Sequence, residues 1–232
     1  MFFYPMFDPT YVLVIIGMLI SMAASAYVSS TYRKYEKVQN SKGYTGEDVA
    51  RMILRDADIK DVSVYQIGGD LTDNYNSHTK RLNLSETTHS STSVAAIGVA
   101  AHECGHAVQD KVGYMPLKLR AGLVPVVNFG ATVSIPLIIF GAIFFSSMPM
   151  LVTIGIWCFA LTFIFQVVTL PVEFNASRRA LAILSDNQIL SEEELAVARK
   201  VLIAAALTYV AAAISSLLQL LRLVILFGNR RD

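Results

Sequence analysis

Four stretches of this chain are apolar and free of charge over roughly twenty residues each: 10–30, 121–145, 150–171 and 201–221. Each is about as long as an α-helix needs to be to cross the hydrocarbon core of a bilayer. Only 16% of the residues are charged and 54% are hydrophobic, whereas soluble domains carry roughly 25% charged residues. The pattern predicts a mainly α, integral membrane fold with three to four transmembrane helices. The formal net charge of +1 gives no electrostatic footprint for nucleic acid, so none is expected as a partner.

The first run reads as a transmembrane helix rather than a signal peptide. Residues 1–9 carry no Lys or Arg, only Asp8, and a signal peptide needs a basic start. The following flank holds Arg33, Lys34, Lys37 and Lys42. The positive-inside rule then puts the N-terminus outside and residues 31 onward in the cytoplasm.

Residues 31–92 are polar. Thr45 with Asp48 three positions on has the form of a capping box and opens a helix through about Asp56. Val62 to Ile67 alternates and is rich in β-branched residues, which predicts a strand ended by Gly68-Gly69. A turn around Asn76 to Thr79 and a short strand over Arg81 to Leu84 complete a small strand–hairpin unit on the cytoplasmic side.

Ser90-Ser91-Thr92-Ser93 caps a further helix, which is apolar on nearly every face until it reaches His102-Glu103-Cys104-Gly105-His106 and ends near Gly113. Such a helix is expected to be buried and central. Beyond it, 121–171 forms a transmembrane hairpin with Pro125 and Pro136 as expected kinks and an uncharged external turn at Ser146-Ser147. Residues 173–200 follow, with a second capping box at Ser191 and Glu194. The apolar segment 201–228 reads as a further span, with a re-entrant helix pair as the alternative.

His102-Glu103-Cys104-Gly105-His106 is an HExxH motif. On a helix, positions i and i+4 share a face, so both imidazoles can reach one Zn²⁺. Glu103 lies about 100° around the helix, placed to hold the attacking water as general base. A catalytic zinc needs a third protein ligand and an open position. The metzincin continuation fails, because Gln109 and Val112 stand where Gly and His are required, and the helix exit Gln109-Asp110-Lys111 reads as polar. A Glu on another helix is the other common continuation. Glu173 fits, at the cytoplasmic end of the run 150–171. The bland alternative is an interfacial carboxylate paired with Arg178 or Arg179. Ser177, four residues after Glu173, can orient a ligand. Arg178, Tyr209 and His78 are candidate oxyanion donors. Cys104 and Cys158 read as small apolar fillers, not as zinc ligands or a disulfide.

With these residues on the page, the chain resembles the bacterial YugP-type integral-membrane neutral zinc metallopeptidases. The likeness is carried by His102 to Gln109, by Pro171-Val172-Glu173-Phe174-Asn175-Ala176-Ser177-Arg178-Arg179-Ala180, by Leu71-Thr72-Asp73 and by Leu207 to Ala212. More distantly, it is similar to the HtpX-type and CAAX prenyl membrane peptidases. Ser177 stands where those carry Asp, and Asn175 where the family usually carries an acid. The resemblance implies one zinc per chain held by His102, His106 and Glu173, and hydrolysis of peptide bonds in membrane or membrane-proximal proteins. It also implies a multi-pass protein of the plasma membrane.

Two rival readings remain. A site-2-type intramembrane protease would draw a third ligand, Asp, from a membrane helix, and the apolar runs contain no Asp. A non-catalytic zinc-containing scaffold would not need Glu103.

Overall fold

In the computed structural model, residues 8–144 and 148–228 are described. The turn at Ser146-Ser147 and the terminal Arg230 and Arg231 lie outside them. The chain is mainly helical, with a small three-stranded sheet. Among the described residues four helices are long and apolar enough to cross a membrane: α1 (Tyr11–Tyr35), α5 (Met115–Ile143), α6 (Pro149–Asp186) and α7 (Glu192–Gly228). Between α1 and α5 come α2 (Gly46–Asp56), β1 (Ser63–Ile67), β2 (Asn74–Asn76), β3 (Arg81–Ser85), α3 (Glu86–His89) and α4 (Val94–Lys111).

The chain divides into two compact units. The first comprises Met1–Ser25, Leu119–Leu170 and Thr208–Asp232. Its outward side chains are apolar, including Met18, Leu19, Phe129, Phe140, Trp157 and Ile225, the inverse of a soluble surface and suited to lipid. Within it, α5 turns Val127, Gly130, Ser134, Ile138 and Gly141 inward along one helical stripe. The small residues let helices approach closely, which drives packing where no hydrophobic effect operates between apolar surfaces. Gly155 of α6 accordingly lies against the Ser134 carbonyl and Ile138. Helix α5 is continuous through Pro125 and Pro136.

In the same unit, α1 and α7 run antiparallel. Ser215 Oγ donates to the Gly17 carbonyl at 2.7 Å and meets Ser21 Oγ at 2.8 Å. Seven residues further along α7, the Arg222 guanidinium stacks 4.0 Å from the centroid of the Tyr11 ring. The end of α7 thus lies beside the start of α1. This corrects the re-entrant alternative for 201–228: the segment belongs to one unbroken helix that begins at Glu192.

The second unit, Ala26–Lys118 with Pro171–Leu207, is built around α4. Both capping boxes form. Thr45 Oγ1 accepts from the Asp48 amide while Asp48 accepts from the Thr45 amide, and Ser191 and Glu194 exchange the same pair of bonds at the start of α7. Ser93 caps α4 through the Ala96 amide. Ile53, Leu82, Leu84, Ile97 and Leu184 are fully buried in its core, each contributing about 1.5–3 kcal/mol. Cys104 is buried against the Ala50 carbonyl of α2.

The sheet order is β1-β3-β2, with β1 parallel and β2 antiparallel to β3. The sequence marks β1 and the central β3. It misses β2, whose three residues, with Tyr75 half-buried between two exposed asparagines, are too few to show a period, and the single-turn α3. Helix α6 also differs from expectation. It runs through Pro171 without a break, so Glu173 lies inside a continuous helix rather than in a new segment after a span.

Candidate metal centre

Helix α4 meets α6 at very short range. A β-carbon built on Gly105 would come 2.6 Å from the Ala176 carbonyl oxygen. Gly105 lies between His102 and His106, and Ala176 lies between Glu173 and Ser177, so the crossing presents these four side chains to one another. Glu173 is 2% exposed. Its Oε2 lies 3.2 Å from His102 Nε2 and 3.6 Å from His106 Nε2. The two imidazole rings are edge-to-face with centroids 4.8 Å apart.

Among the described residues, this is the group of three His, Cys, Asp or Glu side chains whose donor atoms converge, all within 4.8 Å of one another. Tetrahedral zinc with bonds of about 2.0–2.1 Å places adjacent ligand atoms about 3.4 Å apart. The Glu173 oxygen, 3.2 and 3.6 Å from the two imidazole nitrogens, is placed for that ion, and two imidazoles with one carboxylate suit it in ligand type. Glu103 is buried beside them. Burial pushes its carboxyl above the ordinary carboxylate range; the charges of His106 and His102 pull it down, and Glu173 and Asp73 add to the rise.

The outer partners are equally specific. His102 Nδ1 lies 3.0 Å from Ser177 Oγ, and His106 Nδ1 lies 3.0 Å from Gln109 Oε1. Gln109 Nε2 reaches the Val172 carbonyl at 2.8 Å and Asn175 Oδ1 at 3.0 Å. Arg179 Nε donates to the same Asn175 oxygen at 2.8 Å. Within the polar helix exit, Gln109 is completely buried. Its signal in the sequence is position: it stands one turn past the second motif histidine, on the face that histidine shares.

Asp110 does leave the core side. Its Oδ2 accepts from Tyr75 Oη at 2.7 Å and from Lys80 Nζ at 2.6 Å, tying the β2–β3 hairpin to the end of α4. These donors hold the Asp110 carboxyl low against the opposing effect of burial.

Arg178 is exposed on α6, and His78 is exposed in the hairpin turn. Tyr209 lies on α7 in the apolar unit. Of the histidine candidates, His78 is not in the converging group.

Comparison with known proteins gives a zinc family. A family model described as "Putative neutral zinc metallopeptidase" matches residues 10–228. A Bacillus subtilis (strain 168) protein named "Putative membrane protease YugP" is 45% identical over 221 residues, covering 95% of this chain and 97% of that protein. No solved structure matches the chain.

Proposed function

This chain belongs to the neutral zinc metallopeptidase family, and we propose that it is a membrane-embedded zinc endopeptidase whose active site opens at the cytoplasmic face of the plasma membrane. The observation that carries this reading is the convergence of His102 Nε2, His106 Nε2 and the Glu173 carboxylate beside a buried Glu103.

His102, His106 and Glu173 would hold one zinc ion. That ion supplies Lewis acidity, lowering the pKa of water toward neutrality and polarising a peptide carbonyl. Glu103 holds the attacking water, accepts its proton as the oxygen adds to the carbonyl carbon, and delivers a proton to the departing amine. Ser177 and Gln109 keep the two imidazoles oriented from behind. Substrates are peptide bonds of membrane or membrane-proximal proteins, because the site unit is joined to the spans by continuous helices.

Glu103→Gln tests the assignment. It removes the base and no metal donor, so zinc content and thermal unfolding should match wild type. Hydrolysis of a denatured protein substrate should fall by about 10²–10⁴-fold, the usual contribution of a positioned base. A variant that cleaves at near wild-type rate would show that another group takes the proton.

A further inference from the structure

Three buried or half-buried side chains run in a line behind His106: Gln109, Asn175 and Arg179 follow it in sequence of contact. The hydrogen-bond polarity of that line is fixed at both ends by groups that cannot reverse. The Val172 carbonyl can only accept, so the Gln109 amide must turn its NH₂ toward it. The Arg179 guanidinium can only donate, so Asn175 must present its oxygen, which then also accepts from Gln109 Nε2. Gln109 is left with Oε1 facing His106 Nδ1 at 3.0 Å. An amide oxygen only accepts, so Nδ1 must carry the imidazole proton. The lone pair of the neutral ring then sits on Nε2, the atom that faces Glu173.

We infer that Gln109, backed by Asn175 and Arg179, is the positioning residue that locks His106 in its Nδ1–H tautomer and aims Nε2 at the metal. The inference rests on the zinc reading above. His102 differs in kind. Its Nδ1 faces the Ser177 hydroxyl, which can donate or accept, so that contact orients the ring without choosing its tautomer. The two motif histidines are therefore held by unequal means, and the stricter one depends on three residues outside the motif. The departure from an acid at position 175 is accommodated by the same logic, since an Asn oxygen aimed by Arg179 accepts as a carboxylate would.

The test uses the full-length protein in detergent. Histidine ¹⁵N spectra of the zinc-free protein at pH 8 read the tautomer, with His106 assigned by its loss in His106→Asn. Wild type should show His106 protonated at Nδ1, and Gln109→Met should show a tautomer mixture. Zinc affinity, measured by chelator competition, should fall about 10- to 100-fold in Gln109→Met. Asn175→Leu should reproduce that loss, whereas Asn175→Asp, which still accepts from both neighbours, should restore affinity to near wild type. Wild-type His106 protonated at Nε2, or unchanged affinity in a folded Gln109→Met, overturns the inference. If Gln109→Met fails to fold, the wild-type spectrum and the Asn175 pair still decide it. Wild type that binds no zinc at all would instead sink the metallopeptidase reading, and the tautomer measurement separates the two failures.

Discussion

Gly105 and Ala176 are in backbone contact: no side chain fits between them, since a β-carbon on Gly105 would lie 2.6 Å from the Ala176 carbonyl oxygen. That contact sets the separation of α4 and α6, and with it the separation of His102 and His106 from Glu173. Gly105→Ala should therefore act on the metal as well as on stability. Overpacking of this kind costs about 1–3 kcal/mol. Zinc affinity should drop. Thermal unfolding and chelator competition together check this; full zinc affinity in the variant would show that the crossing has slack.

Glu173→Ala removes the proposed third donor. Wild type should keep zinc through dialysis against a chelator that strips the variant. The membrane helices should stay assembled, because the lost carboxylate meets the two imidazoles within the second unit, outside the unit that holds the apolar spans. Equal zinc retention by the two proteins would rule out the carboxylate as a ligand.

Ser177→Ala deletes the hydroxyl 3.0 Å from His102 Nδ1. Partners behind a metal-bound imidazole typically contribute 10–100-fold in affinity, and a single orienting bond that leaves the tautomer free should fall near about 10-fold. The measurement is the same competition assay, with Ser177→Thr expected to recover most of the loss. An effect as large as that of Glu173→Ala would make Ser177 more than an orienting group.

The face of the membrane is tested with single cysteines at Ser41, Ser77, Ser147 and Asn187, in a Cys104→Ala/Cys158→Ala background. Arg33, Lys34, Lys37 and Lys42 should hold the first helix with its N-terminus outside, and Asp110 and Lys111 make a crossing by α4 costly. A membrane-impermeant thiol reagent on intact cells should label the cysteine at position 147 alone. Labelling at position 77 would place the site on the outer face.

What the sequence by itself determined is whatever depends on neighbours along the chain. Three of the long apolar helices follow from runs of uncharged apolar residues, while the run over 201–228 left a span and a re-entrant pair open until α7 proved to be one helix. The ends of α2 and α7 follow from Thr45–Asp48 and Ser191–Glu194, because a capping box closes over three residues. The shared face of His102 and His106 follows from helical geometry alone. Tertiary structure decided what depends on more than neighbours along the chain. The parallel pairing of β1 with β3 places β2 on the opposite edge, and no local pattern in Asn74–Asn76 announces it. The continuity of α6 through Pro171 leaves Glu173 in mid-helix. Above all, Gln109 and Asn175 read as ordinary polar residues until α4 and α6 close on each other. Periodicity reports which face a residue occupies. Only the partner helix decides whether that face meets water, or meets a carbonyl, an amide and a guanidinium that together fix where a proton sits.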